Sequence, residues 1–138
     1  MKMTPKCFVV DTNTIISAAL FRQSIPRQAL DLALASGILL VSDATALELT
    51  SVLLRTKFDR YLERAKRETF LAVFLCQATL IPITESVSIC RDPKDDKFLD
   101  VAINGHAKCI VSGDQDLLAL HPFRGLAIVT PRAFLEWT

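Results

Sequence analysis

The stretch FVVDTNTII, residues 8–16, runs three apolar residues straight into a carboxylate. Phe8, Val9 and Val10 have the make-up of a strand buried on both faces, and Asp11 follows with no turn residue between. Apolar runs of strand length recur at 7–10 (CFVV), 38–41 (ILLV), 79–83 (TLIPI), 108–111 (KCIV) and 126–129 (LAIV). Helical signals lie between them. Pro26 suits a first turn, RQALDLALAS carries helix formers, and Gly37 suits a C-terminal cap. Ser42 or Asp43 is placed to cap a helix through about Thr56, and a charged helix is predicted from about Asp59 to Ala78. Another is predicted from Asp92 to about Gly105, and Pro131 opens a short last one.

This alternation predicts a single α/β domain over residues 1–138, with a mostly parallel central sheet of about five strands and helices on both faces. Right-handed crossovers then bring the C-terminal ends of all strands to one rim, where open α/β sheets bind ligands.

Composition narrows the class. Among 138 residues, 51% are hydrophobic and 22% charged, which points to a packed core rather than disorder. A net charge of +1 excludes the strongly basic signature of a dedicated DNA binder. No apolar run approaches the roughly 18 residues of a membrane span, and the N-terminus has no secretory pattern. A cytoplasmic protein without membrane association is expected. Cys7, Cys76, Cys90 and Cys109 form no C-x-x-C pair and read as reduced core thiols.

Carboxylates gather at the predicted rim. Asp11 ends the first strand, and VSGDQD places Asp114 and Asp116 just past the fourth. Glu48 shares a helical row with Ala44 and Val52, with no cation at i±3 or i±4, so either a group outside the helix satisfies it or it reaches solvent from the helix edge. In RDPKDDKFLD, Asp92, Asp96 and Asp100 stand at i, i+4 and i+8 and share one face if the helix starts early. Capping and the helix dipole account for Asp11, Asp92 and Asp95 without any ligand. They account poorly for Asp100. An oxygen-only donor set suits Mg²⁺ or Mn²⁺, ions that serve phosphoryl-oxygen chemistry.

The order strand–DTN, helical Glu, DDKFLDVA, IVSGDQDL resembles the PIN-domain ribonucleases, above all those that are toxin components of toxin–antitoxin pairs. The resemblance spans essentially the whole chain. It implies Asp11, Glu48, Asp96 and Asp114 as the catalytic, metal-binding acids, with Asp116 sharing or replacing the role of Asp114. It further implies supporting roles for Asn13, Asp100 and Ser112. The implied activity is Mg²⁺- or Mn²⁺-dependent hydrolysis of RNA by a metal-activated water, leaving 5′-phosphate and 3′-hydroxyl ends. An antitoxin protein and a homodimer are the implied partners.

The segment RTKFDRYLERAKR, residues 55–67, supplies Arg55, Lys57, Arg60 and Arg64 as candidate contacts to RNA phosphates. The alternative is a solvated face with i,i+4 pairs such as Glu63–Arg67. Two other readings of the whole chain stand beside the nuclease. DTNT resembles the D-x-D-x-T of haloacid-dehalogenase-like phosphatases, although Asn13 then stands where a general acid is needed. A non-catalytic domain that keeps the fold is the other.

Overall fold

Each of the five apolar runs contains a strand in the computed structural model, which describes residues 5–137. The order is β1 (Cys7–Val10), α1 (Thr12–Leu20), α2 (Ile25–Ser36), β2 (Ile38–Val41), α3 (Asp43–Leu53), α4 (Arg64–Gln77), β3 (Thr79–Leu80), α5 (Asp96–Asn104), β4 (Cys109–Val111), α6 (Gln115–Leu118), β5 (Ala127–Val129) and α7 (Pro131–Leu135). The sheet runs β3-β2-β1-β4-β5, and all its pairings are parallel.

Side-chain alternation divides the core into two. Phe8 and Val10 of β1, with Leu39, Val41, Cys109 and Val111, pack under α1, α2, α3, α4 and α7. Val9, with Leu40, Ile110 and Ile128, packs against α5 and Leu117 of α6. Continuous apolar strands are therefore required, because neither face meets water. The caps follow the sequence signals. Ser24 caps α2, with Pro26 in its first turn, and Ser42 caps α3 in a capping box with Thr45. At Gly37 a Cβ would lie 2.2 Å from the Lys6 carbonyl oxygen, so the entry into β2 requires glycine.

Three expectations need correction. The charged helix begins at Arg64 rather than Asp59, after a tight 3-10 turn at Thr56–Phe58. Arg67 is the reason. Its fully buried guanidinium donates to the carbonyls of Leu53 (2.8 Å), Leu62 (2.9 Å) and Arg55 (3.1 Å) and pairs with Asp59. It thus satisfies a turn that no helix ladder serves. The expected Glu63–Arg67 pair gives way to Glu63–Lys66 at 3.6 Å. Second, α3 stops at Leu53 and β3 is only two residues long. Third, Cys76 is exposed and only Cys109 is fully buried, although all four cysteines are free thiols.

Candidate metal centre

The ends of β1 and β4 are tied together by polar groups. The Asp11 amide donates to the Val111 carbonyl at 3.1 Å, extending the strand pairing by one residue. Asp11 Oδ1 accepts from the Thr14 amide (3.0 Å) and caps α1, while Oδ2 accepts from Ser112 Oγ at 2.5 Å. Ser112 Oγ in turn accepts from the Asp114 amide at 2.9 Å. Asp11 is only 4% exposed. Burial pushes its carboxyl above the usual range, the bonds from Ser112 and Thr14 oppose this, and the nearby Asp114 charge adds to the rise. Asn13, expected to orient Asp11, is exposed; Thr14 and Ser112 hold the carboxylate instead.

Asp114 caps α6, its Oδ1 accepting from the amides of Asp116 (2.8 Å) and Leu117 (3.2 Å). The cap of α6 therefore belongs to Asp114, not to Asp116. Asp116 lies in the first turn of α6, and its carboxylate joins those of Asp95 and Asp114, with one oxygen from each within 4.8 Å of the others. Asp95 has its carboxyl pushed up to about 6, by burial first and then by the Asp114 and Asp92 charges, with Lys97 opposing.

The structure replaces Asp96 with Asp95 in this cluster. A short 3-10 turn, Pro93–Asp95, precedes α5, so Asp92 lies outside the α-helix and the expected row of Asp92, Asp96 and Asp100 breaks. Asp96 Oδ1 instead accepts from the amides of Ile89 (3.1 Å) and Cys90 (2.8 Å). Asp100 Oδ1 accepts from the Val87 amide at 2.8 Å. One turn further, Asn104 Oδ1 accepts from the amides of Thr84 and Glu85 at 2.9 and 3.0 Å. This row fastens the irregular connection from β3 to α5. For Asp96, burial acts to raise the pKa, but the bonds from Cys90 and Ile89 outweigh it and hold the carboxyl below its ordinary value. The sequence signal for the shift was Pro93, which tightens the entry to α5 and moves the helical phase.

Glu48 lies beside the buried face of α3 formed by Thr45, Leu49 and Leu53. Groups outside the helix satisfy it: Oε2 pairs with Lys97 Nζ at 2.7 Å, and Oε1 accepts from Thr12 Oγ1. Glu48 shares a cleft of about 240 Å³ with Asp11, Asp92, Asp95, Asp114 and Arg55. A second groove, of about 460 Å³, also reaches Asp11, Asn13 and Asp114, from the side of Ser17, Pro26 and Pro131. Carboxylates from the ends of both central strands thus line two grooves. Of the basic candidates, Arg55 lines the acidic cleft. Lys57 lies 5.1 Å over the Phe58 ring, Arg60 lies 5.1 Å over the Tyr61 ring, and Arg64 pairs with Glu68 at 3.7 Å.

The donor set of Asp95, Asp114 and Asp116 is compatible with a divalent cation: three carboxylates converge, and burial together with neighbouring negative charge raises the pKa of Asp95. Among the described residues, no helix is long and apolar enough to cross a membrane.

Comparisons with known proteins agree with this architecture. An uncharacterized protein of Methanocaldococcus jannaschii is 31% identical, over 93% of this chain and 88% of its own length. The fold is similar to that of PAE2754 from Pyrobaculum aerophilum, with a TM-score of 0.60, 18% identity and coverage of 95% and 88% of the two chains. It is also similar to VapBC2 from Rickettsia felis, bound to a DNA fragment from its promoter, with a TM-score of 0.58, 14% identity and coverage of 88% and 96%. VapC20 of Mycobacterium tuberculosis, a sarcin–ricin loop cleaving toxin, gives a TM-score of 0.55 at 12% identity over 87% and 98%. The PIN-domain model matches residues 7–116, from β1 through the whole acidic cluster, and sets the phosphatase alternative aside. The chain belongs to the PIN-domain family.

Proposed function

We propose that this protein is a Mg²⁺- or Mn²⁺-dependent endoribonuclease and the toxin of a toxin–antitoxin pair, acting in the cytoplasm. The observation that carries this reading is the meeting of Asp95, Asp114 and Asp116 at the strand-end rim, next to Asp11 and Arg55. Asp95, Asp114 and Asp116 would hold the ion, with Asp11 alongside. Bound there, such an ion would polarise phosphoryl oxygens and acidify water.

The chain's own groups prepare the site. Ser112 fixes Asp11 and Asp114 relative to each other through one hydroxyl. Arg55 offers a guanidinium to an incoming phosphate that the acids would otherwise repel. Lys57, Arg60 and Arg64 would extend that attraction along the RNA backbone. The toxin reading is supported by the two Vap neighbours, one of them a loop-cleaving toxin. An antitoxin protein and a second copy of this chain are its proposed partners.

Sequencing the ends of cellular RNA after brief expression tests this reading. It predicts new 5′-phosphate ends that are absent with Asp114→Asn. Identical fragment ends from both proteins would overturn it, leaving the non-catalytic module.

A further inference from the structure

Glu48 shares the acidic cleft with Asp95 and Asp114, but both of its carboxylate oxygens already have partners. Lys97 projects from the first turn of α5 to within 2.7 Å of Glu48 Oε2, with both side chains largely covered at 20% and 28% exposure. The ammonium also donates to the Lys94 carbonyl oxygen, and Thr12 Oγ1 takes up the other Glu48 oxygen. Lys97 is near enough to Asp95 to oppose the rise of its pKa. The chain itself therefore supplies a cation to Glu48, and the charge of that cation also acts on Asp95.

We infer that Lys97 is a tethered counter-ion that occupies the Glu48 side of the centre and limits it to one divalent ion, a conclusion that rests on the metal-centre reading above. An ion bridging Glu48 to Asp95 would meet the ammonium at close range, and the repulsion between the two cations is strong in a covered site. The tether adds no translational entropy cost, whereas a second free ion must be captured from solution. Lys97 is thus a positioning residue. It holds Glu48 against Thr12 and leaves Asp95, Asp114 and Asp116 to hold the ion.

The test is Mn²⁺ stoichiometry, measured by calorimetry and by the electron paramagnetic resonance of free Mn²⁺. Wild type and Lys97→Arg, which keeps a cation, are expected to bind one ion. Lys97→Met, which keeps the length and loses the charge, is expected to bind two, and Lys97→Met with Glu48→Gln should return to one. Circular dichroism of each variant checks that it is folded. Two ions in wild type, or one in folded Lys97→Met, would overturn the inference while leaving the metal centre in place. No Mn²⁺ bound to wild type would remove both the centre and the inference.

Discussion

Asp95 and Asp96 are adjacent in sequence and belong to opposite kinds of site. Asp96 lies in a row with Asp100 and Asn104 whose oxygens accept from backbone amides of residues 84–90, so the fold supplies what each needs. Asp95 faces Asp114 and Asp116, and there the fold supplies more negative charge. Satisfied carboxylates hold a structure together, whereas crowded ones store repulsion that a cation relieves. The acidic cleft and the α5 row therefore differ in what completes them.

The largest expected effect breaks the cleft alone. Asp114→Asn should reduce metal-dependent cleavage at least about 100-fold, since even groups that only support metal ligands cost about 10–100-fold. Its melting temperature should change little, because Asn also caps a helix well. Asp116→Asn should follow the same pattern in metal binding. A large loss of stability with activity retained would make Asp114 a structural cap only.

The mirror experiment breaks the α5 row. Asp96→Asn exchanges two charge-assisted bonds for neutral ones, at a cost of about 1–2 kcal/mol. The melting temperature should fall by about 2–8 °C for a chain of this size. Cleavage per folded molecule should remain.

Titration of the metal-free protein, kept in chelator, should separate the two aspartates by sign. Asp95 has a folded pKa raised to about 6 from an ordinary 3.8. Its contribution is fully present below pH 3.8 and is lost as pH rises to about 6. Asp96 is lowered from 3.8, so its contribution is present above that value and lost as pH falls through the folded pKa. Urea midpoints measured from pH 3 to 7 should show the rising-pH loss abolished in Asp95→Asn and the acid loss abolished in Asp96→Asn.

The smallest effect concerns RNA affinity. Arg60→Glu with Arg64→Glu should weaken binding and flatten its salt dependence, leaving Mn²⁺ affinity nearly unchanged because the field is screened within about 10 Å at 0.1 M salt. Nitrocellulose filter binding across a salt series would show it. An unaltered slope would return these residues to the solvated face.

Much of the fold was legible because β1, β2 and β4 are buried on both faces and leave unbroken apolar runs, and because Ser24–Pro26 and Ser42–Thr45 are local caps. What was not legible depends on groups distant in sequence. Arg67 reads as one more surface cation until the carbonyls of Leu53, Arg55 and Leu62 converge on it. Lys97 reads as solvent-exposed until α3 brings Glu48 to it. Among the site candidates, Asp11 and Asp114 could be placed because strand ends have fixed positions. The choice between Asp95 and Asp96 could not, since it turns on a one-residue shift of phase at Pro93 that periodicity does not resolve.

Mn²⁺ titration of Asp95→Asn and Asp96→Asn, side by side, tests the central claim most directly. Asp95→Asn should bind Mn²⁺ at least about 10-fold more weakly than wild type, at equal or higher stability without metal. Asp96→Asn should bind it with near-wild-type affinity while unfolding at lower urea. Weak binding by Asp96→Asn, with Asp95→Asn unaffected, would contradict the account and move the centre onto the face of α5 that Asp96 and Asp100 share.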